Sequence, residues 1–121
     1  MDNNIINLLN SLNIKFRNLA IYEQALTHPS FNGDTNNKHK DYEKLEFMGD
    51  AVLGYVTADL VYKNRPEMAE GDLTKLRSAL VSTKPLANYA RRLKLDECVR
   101  IGHSITLEQV RQSDKILENV F

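Results

Sequence analysis

Residues 43–55 read EKLEFMGDAVLGY, and the spacing of acidic and apolar side chains in this segment decides the fold. At about 100° per residue, a helix places the carboxylates of Glu43, Glu46 and Asp50 within an arc of about 60°. Apolar side chains recur on the opposite side, which the pattern predicts to face a core: Leu45, Met48, Val52, Tyr55 and Val56. The segment therefore predicts a long amphipathic helix over about residues 40–63.

The three carboxylates on one side of this helix have two interpretations. Like charges at helical spacing repel one another, so an acidic face is either a solvated surface or is neutralised by a bound cation. Oxygen ligands without a nearby histidine or cysteine suit Mg²⁺ or Mn²⁺ rather than zinc. Phe47 lies on the same acidic side, where a surface helix rarely places an aromatic ring, so we expect another element or another subunit to cover it.

The rest of the chain also has helical periodicity, which predicts an all-α fold without repeats, linkers or hairpins. Asp72 is positioned to cap the predicted helix over residues 73–81. The polar stretch FNGDTNNKH, at residues 31–39, predicts a loop. Tyr62 and Tyr89 fall at helical core spacing. The further helices are predicted over 5–12, 19–27, 73–81, a segment with Pro85 in its first turn, and a segment from about Ser113.

Composition excludes several classes of protein. The 121 residues are 42% hydrophobic and 26% charged, which is ordinary for one soluble globular domain. No run approaches the roughly 18 apolar residues that a membrane span needs, and the N-terminus lacks the features of a secretory signal. The single cysteine, Cys98, excludes an internal disulfide and argues against a thiolate zinc site. We therefore expect a cytoplasmic protein without membrane contact.

The net charge is zero, but the charges are unevenly distributed. Residues 1–72 hold 7 Lys/Arg and 11 Asp/Glu, whereas residues 73–121 hold 9 Lys/Arg and 5 Asp/Glu. A net charge of zero argues against binding nucleic acid by bulk electrostatics alone. The asymmetry fits either chance or a metal site beside a surface that contacts phosphates.

Four segments in chain order carry more specific information. They are ALTHPSF at 25–31, EKLEFMGDAVLGY at 43–55, EGDLTKLRSALVS at 70–82 and KILENVF at 115–121. Together they closely resemble the conserved blocks of the ribonuclease III family, the double-stranded RNA endonucleases. The resemblance implies the all-α helical fold of the ribonuclease III endonuclease domain, truncated within its last conserved helix. It also implies a homodimer with one metal-dependent site per subunit along a cleft at the interface.

The same resemblance implies roles for individual residues. Glu46 matches a direct metal ligand. Asp50 matches the carboxylate regarded as catalytic, which also serves at the metal and helps to place the metal-bound water for attack on phosphorus. Glu43 matches the acid at the edge of that site. Phe47 matches an aromatic that inserts into a socket on the other subunit, and Glu70 matches an acid that lines the cleft near the RNA. The implied reaction is Mg²⁺-dependent cleavage of double-stranded RNA, with Mn²⁺ as a substitute, in the processing of ribosomal and messenger RNA precursors. Its implied product ends are a 5′-phosphate and a 3′-hydroxyl.

Two departures from the family pattern limit this transfer. The family's last helix supplies an Asp and, three residues later, a Glu as further metal ligands; Asn119 stands at the Asp position, and the Glu position would follow Phe121. An amide oxygen can coordinate a metal but brings no charge, so we expect weaker binding. We interpret residues 1–121 as the N-terminal portion of the catalytic domain, without the double-stranded-RNA-binding domain. The alternative is a non-catalytic dimeric RNA-binding module of the same fold that has lost cleavage.

The remaining polar residues are expected to have structural or surface roles. His28, in THPS, is interpreted as structural, and Asp114 and Glu118 as surface residues. Duplex RNA is recognised largely through its backbone and shape, so basic side chains that follow the third conserved segment are candidates for phosphate contacts. We expect one or two of the following residues to contact RNA phosphates: Lys75, Arg77, Arg91, Arg92, Lys94 and Arg100.

Overall fold

In the computed structural model, which describes residues 3–34 and 40–121, the chain folds into seven α-helices and two 3₁₀ turns. The α-helices are α1 (Asn3–Ser11), α2 (Leu19–Ala25), α3 (Glu43–Asn64), α4 (Glu70–Leu80), α5 (Thr83–Arg92), α6 (Leu107–Gln112) and α7 (Asp114–Val120). The 3₁₀ turns are Pro29–Asp34 and Leu95–Glu97. Over the described residues the β-type pairing is limited to an isolated bridge between Thr27 and Arg100, so the all-α prediction is confirmed there.

The predicted loop over 31–39 is only partly tested by the structure. Residues 31–34 belong to the first 3₁₀ turn, so the loop prediction was wrong for them. Residues 35–39 lie outside the described residues. The turn begins at Pro29, which disfavours helix at the residue before it and so separates this turn from α2.

The hydrophobic core lies between α1 and the C-terminal helices. Ile5 and Leu9 are buried four residues apart on α1, the spacing of side chains on one helix face. On α5, Ala87 and Ala90 are fully buried, and their small side chains let α5 pack closely on α7. The other buried members of the core are Leu26, Tyr42, Leu95, Val99, Val110, Leu117 and Val120. This packing fixes α7 relative to the rest of the fold.

Local sequence signals explain most helix ends. The backbone N–H of Glu43, the first residue of α3, donates to Asp41 Oδ1 at 3.0 Å. Pro85 lies in the first turn of α5, as predicted. The predicted cap of α4 was wrong, because the helix begins at Glu70 and Asp72 lies within its first turn. Acidic residues in a first turn still favour the helix through its dipole.

The last predicted helix is preceded by a helix that the periodicity did not reveal. α6 begins with a capping box formed by Thr106 and Gln109. The sequence pattern TLEQ at 106–109 contained that signal. α7 begins where predicted, and the Ser113 hydroxyl accepts a hydrogen bond from the Ile116 backbone N–H at 3.1 Å.

The acidic side of α3, not its apolar side, faces the rest of the chain. The buried residues of α3 are Thr57 and Val61, which fall at about 320° and 0° when Glu43 is set at zero. This is the side of Glu46 and Asp50. Most of the side chains predicted to face a core are exposed, at 57% for Met48, 57% for Val52, 74% for Tyr55 and 54% for Val56.

The prediction of a core-facing apolar side on α3 was therefore wrong for this chain alone. Leu45 is half-buried, but Tyr62 is 71% exposed, contrary to its predicted core position, whereas Tyr89 is half-buried. Helical periodicity identifies side chains that share a face, but it does not identify the element that covers the face. α3 packs mainly on α4 and also meets α2 and α7. None of the described helices, including α3, which is the longest of them, has the length and apolar content to cross a bilayer.

A buried polar junction fixes the residue that precedes α3. Arg100 Nε donates to the hydroxyl of the fully buried Thr27 at 2.9 Å, and the Arg100 guanidinium lies 5.0 Å above the Phe31 ring centroid. The carbonyl of Thr27 accepts a hydrogen bond from the Tyr42 backbone N–H at 3.0 Å. The start of α3 is thereby tied to the end of α2.

Candidate active site

A groove of about 610 Å³ runs between the first half of α3 and α7. Its polar lining consists of Tyr42, Glu46, Asp50, Lys115, Glu118 and Asn119. Apolar side chains complete the walls, among them Val52, Val56, Leu86, Phe47 and Phe121. We term this feature the acidic groove. It brings together the three residues that the family resemblance assigned to the metal: Glu46, Asp50 and Asn119.

Glu46 and Asp50 lie one turn apart on the side of α3 that the chain covers. Glu46 is half-buried and Asp50 is exposed. Glu43 is exposed at the start of the helix and is not part of the groove lining. Among residues 3–34 and 40–121, no three His, Cys, Asp or Glu side chains are grouped closely enough to hold a metal. A third protein ligand in the groove would therefore come from another type of oxygen, and the groove contains one amide side chain.

Asn119 supplies such an amide. Its carbonyl oxygen, Oδ1, is buried and has no hydrogen-bond partner in the described part of the chain. Buried polar atoms are nearly always paired, so an unpaired oxygen indicates a missing donor or cation. Two carboxylates and an amide oxygen are the ligand type that Mg²⁺ and Mn²⁺ prefer. The residues present therefore fit a divalent cation.

Tyr42 is a groove residue that the sequence analysis missed. Burial raises the pKa of its hydroxyl, a side-chain hydrogen bond with Asn119 lowers it in part, and the Glu46 carboxylate adds to the increase. The hydroxyl is therefore neutral near pH 7. If the helix is extended back by one residue, with Glu43 set at zero, Tyr42 falls near 260° and Glu46 near 300°. Helical geometry could therefore have placed Tyr42 on the same side as Glu46.

Glu118 is engaged in contacts between helices. The Thr83 hydroxyl donates to Glu118 Oε2 at 3.2 Å, and Lys115 Nζ lies 3.4 Å from Glu118 Oε1. With 22% of its side chain exposed, Glu118 is not the simple surface residue that was predicted. Lys115 places a positive charge at the groove; its side chain is 73% exposed and forms this long ion pair.

Asp114 lies outside the groove lining and is paired with cations. Arg91 Nη2 lies 2.6 Å from Asp114 Oδ1, and Lys84 Nζ lies 3.5 Å from Asp114 Oδ2. The hydrogen bond from Arg91 lowers the pKa of Asp114, against the opposing effect of burial. Arg91 also donates from Nε to the Arg111 carbonyl at 3.0 Å. Asp114 therefore ties α7 to α5.

The basic residues proposed for phosphate contacts fall into two groups. Arg91 and Arg100 are committed to contacts within the chain, to Asp114 and Thr27 respectively. The exposed basic residues among the candidates are Lys75, Arg92 and Lys94, while Arg77 is half-buried.

His28 makes the contacts expected of a structural histidine. The Ser30 backbone N–H donates to His28 Nδ1 at 3.0 Å, which puts the proton of the neutral ring on Nε2. The ring meets the Tyr42 ring edge to face, with centroids 5.8 Å apart. Burial lowers the pKa of His28, an effect larger than the opposing influence of Asp41 and Glu43.

Phe47 begins an apolar surface on the uncovered side of α3. Four side chains project there, with exposed fractions of 78% for Phe47, 57% for Met48, 74% for Tyr55 and 71% for Tyr62. We term them the outer face of α3. Large contiguous apolar patches are uncommon on soluble monomers and mark interaction sites. No element of the described chain covers this face.

Glu70 lies at a different place from the acidic groove. It lines a second groove, of about 490 Å³, between α3 and α4, together with Tyr55, Asp59, Tyr62 and Arg77. The two grooves share no lining residue. Within one copy of the chain, Glu70 is therefore not brought next to Glu46 and Asp50.

Comparison with known proteins identifies the family. Residues 18–121 match the family described as Ribonuclease-III-like. The chain belongs to the ribonuclease-III-like family. The matched region extends from just before α2 to the last residue, so it contains every residue that lines the acidic groove.

Curated relatives within this family are named ribonuclease 3. The protein from Campylobacter concisus is 41% identical over 111 residues, and the alignment covers 92% of this chain and 48% of the relative. The protein from Francisella philomiragia is 43% identical over 111 residues, covering 91% of this chain and 44% of the relative. The chain thus spans about half the length of these ribonuclease III relatives.

Solved structures agree with the ribonuclease III fold. Two structures of the nuclease domain of ribonuclease III from Campylobacter jejuni superpose with TM-scores of 0.85 and 0.84, at 34% and 35% identity. They cover 96% and 98% of this chain, and 78% and 77% of the solved chains. One was described for structural flexibility in a region involved in dimer formation. The predicted fold class and family resemblance are confirmed.

Proposed function

We propose that this chain acts as the nuclease domain of a ribonuclease III and hydrolyses phosphodiester bonds of double-stranded RNA at the acidic groove. The observation that carries the proposal is that Glu46, Asp50 and Asn119 line one groove, where the Asn119 carbonyl oxygen has no hydrogen-bond partner among residues 3–34 and 40–121. Family membership supports the reaction class, and the lining of the acidic groove supports its proposed location. The expected products carry 5′-phosphate and 3′-hydroxyl ends, and the expected substrates are ribosomal and messenger RNA precursors.

The oxygen atoms of the groove would hold Mg²⁺, or Mn²⁺ in its place. Glu46, Asp50 and Asn119 would supply ligand oxygens, and Asp50 would also orient the attacking water. When bound, the cation lowers the pKa of water, orients the phosphodiester and neutralises developing charge. Two carboxylates match the charge of one divalent ion, and the neutral amide of Asn119 adds a ligand without adding repulsion. Glu43 stands at the edge, outside the groove lining.

Lys115 is the groove's candidate for a phosphate contact. Exposed ion pairs contribute little, so its pairing with Glu118 at 3.4 Å can be exchanged for a phosphate oxygen at small cost. A basic side chain beside the carboxylates also offsets the repulsion between the acidic groove and the RNA backbone.

A second copy of the chain is the proposed occupant of the outer face of α3. The exposed ring of Phe47 would insert into the partner, in line with the family's socket. Glu70 lines the groove that also contains Tyr55 and Tyr62 of this face. A dimer formed there would therefore place Glu70 beside a cleft shared by the two copies, which accounts for its separation from Glu46 within one copy.

Cleavage of an end-labelled RNA duplex by the 121-residue chain in Mg²⁺ tests the proposed activity. The expected result is short duplex products with 5′-phosphate ends, no cleavage in EDTA and none of single-stranded RNA. The variant Asp50→Asn is the matched negative control for a contaminating nuclease. The same assay is run on a chain extended past residue 121, which supplies the family's further Glu position. A folded extended chain that leaves the duplex intact in both Mg²⁺ and Mn²⁺ would contradict the proposal.

The second candidate is a non-catalytic dimeric RNA-binding module, and Asn119 is the observation that favours it. An amide in place of a carboxylate weakens the cation site, whereas the fold and the outer face are untouched. A gel-shift assay with the same duplex separates the candidates. Retention of the duplex without cleavage, unchanged by Asp50→Asn, would support the binding module.

A further inference from the structure

The acidic groove contains a third carboxylate, to which the family resemblance gives no role at the cation. Glu118 lines this groove together with Glu46 and Asp50, and a lysine of the same helix is paired with it. We propose that Glu118 supplies the cation site with a negative charge that Asn119 does not provide, and that Lys115 competes with the cation for this carboxylate. This inference rests on the proposed function, because it requires a cation in the acidic groove.

Glu118 is held at the groove by its own helix and by a neighbouring one. Leu117, the residue before it on α7, is fully buried in the core, which fixes the position of the helix. The hydroxyl of Thr83, the first residue of α5, donates to Glu118 Oε2 at 3.2 Å. The Glu118 side chain is only 22% exposed, so most of it is withdrawn from water. A carboxylate restrained in this way loses little further conformational freedom when a cation binds nearby.

Lys115 is a counter-ion of Glu118 in the structure. Its Nζ lies 3.4 Å from Glu118 Oε1, and the two residues are three positions apart on α7. Because the Lys115 side chain is 73% exposed, the pair is largely solvated and therefore weak. A divalent cation carries twice the charge of an ammonium group and attracts the same carboxylate more strongly. The ion pair with Lys115 therefore lowers the contribution of Glu118 to cation binding without abolishing it.

Glu118 contributes through its charge and not as a direct ligand beside Glu46 and Asp50. Among the residues that the structure describes, no three acidic side chains are grouped closely enough to hold a metal together. Bound Mg²⁺ usually keeps several of its waters, and a carboxylate beyond direct contact can accept hydrogen bonds from them. The neutral Asn119 adds an oxygen to the site but no charge, so the charge of Glu118 increases the attraction for a divalent cation.

Mn²⁺ binding to the full 121-residue chain, followed by the electron paramagnetic resonance signal of free Mn²⁺, tests the inference. Four proteins form the set: the wild type, Glu118→Gln, Lys115→Met and the double variant. Glu118→Gln should weaken Mn²⁺ binding by roughly 3- to 10-fold, the effect of one charge near a divalent cation in a hydrated groove. Lys115→Met should strengthen it by roughly 2- to 5-fold, because the competing ammonium group is removed. In the Glu118→Gln background Lys115→Met should have little effect, because no carboxylate remains to be released.

Two further variants separate this role from general effects of charge and of packing. Lys63→Met removes a lysine from a comparable exposed pair, with Asp59 at 3.1 Å and outside the acidic groove, and should bind Mn²⁺ like the wild type. Thr83→Val removes the hydrogen bond between α5 and α7 but keeps the Glu118 carboxylate, so it should weaken Mn²⁺ binding clearly less than Glu118→Gln does. Equal weakening by these two variants would indicate a merely structural role for Glu118 and would overturn the inference.

The experiment also separates this inference from the proposed function. If the wild type binds Mn²⁺ and Glu46→Gln abolishes binding, but Glu118→Gln has no effect, the cation site stands and the role of Glu118 is refuted. Equal strengthening by Lys115→Met in both backgrounds would mean that Lys115 repels the cation independently of Glu118, and would overturn the proposed competition. If the wild type binds no Mn²⁺ that depends on Glu46, the proposed cation site fails, and the role of Glu118 fails with it.

Discussion

Glu46 and Phe47 are consecutive residues of α3 that lie in different environments. Both residues line the acidic groove, but Glu46 is half-buried in it opposite Asn119, whereas the Phe47 ring is 78% exposed at its rim and begins the outer face. One helix thus contributes to two surfaces, one closed by α7 and one left open. Substitutions on the two sides should therefore separate the chemistry of the site from association of the chain.

Asp50→Asn should abolish cleavage and leave the fold intact. Asp50 is exposed, and its replacement removes one of the three carboxylates that line the acidic groove, the others being those of Glu46 and Glu118. We expect at least about a 10²-fold loss of the cleavage rate with an unchanged melting temperature. Glu97→Gln, an exposed carboxylate-to-amide change outside the groove, should cleave like the wild type. Retained cleavage by Asp50→Asn would remove this residue from the mechanism.

Phe47→Ala should weaken dimerisation without destabilising the fold. An aromatic ring that is buried only on association contributes strongly to an interface, and its truncation commonly costs tenfold or more in affinity. In sedimentation velocity across a concentration series, the variant should form the dimer only at higher protein concentrations than the wild type. Ile21→Ala, at a 47% exposed position on α2, is the matched apolar control and should sediment like the wild type. An unchanged profile for Phe47→Ala would contradict the socket role.

The fold was largely predictable because helix formation is local. The periodicity of 43–55 located α3 within a few residues of its ends, and Ser113 marked the start of α7. The shared arc of Glu46 and Asp50 was also predictable, since it follows from helix geometry alone.

The covered side of α3 was not predictable, because it depends on long-range packing. The position of α7, set by its packing on α5, closes the acidic side of α3 and leaves Tyr55 and Tyr62 exposed. Similarly, the family resemblance pointed to Asn119, but only the structure shows that its carbonyl oxygen is buried without a hydrogen-bond partner among the described residues. Such contacts join residues far apart in the sequence, for which periodicity carries no information.

His28 should make stability depend on pH below neutrality. Burial lowers its pKa from 6.5, so the unfolded chain binds a proton more readily than the folded chain. The stability contributed by the neutral ring is therefore present above pH 6.5 and is lost as the pH falls from there to the lower pKa of the folded state. Urea unfolding should show that the free energy of unfolding decreases less between pH 7.5 and pH 5.5 for His28→Asn than for the wild type. The asparagine keeps an acceptor for the Ser30 N–H but cannot titrate. Equal decreases would contradict this assignment.

Lys94→Gly should stabilise the protein. Lys94 follows α5 with φ 61° and ψ 33°, a left-handed conformation that costs a non-glycine residue about 1 kcal/mol. Glycine adopts it freely, although the unfolded chain also gains freedom, so we expect an increase of about 0.5 kcal/mol in the free energy of unfolding. Lys94→Ala keeps the conformational cost and is the control. If both variants have the same stability, the left-handed conformation is not the cause.

Asn119→Asp should lower the stability of the metal-free protein and strengthen Mg²⁺ binding at the acidic groove. Without metal, a third carboxylate beside Glu46 and Asp50 adds repulsion and buries a charge, so the free energy of unfolding should fall by about 1–2 kcal/mol. With Mg²⁺ the added charge strengthens binding, and a ligand that binds only the folded state raises its stability. The melting temperature of the variant should therefore lie below that of the wild type in EDTA and rise more steeply as Mg²⁺ is added. Asn10→Asp introduces the same charge on an exposed position of α1 and should respond to Mg²⁺ like the wild type. Parallel Mg²⁺ responses of Asn119→Asp and the wild type would place residue 119 outside the cation site.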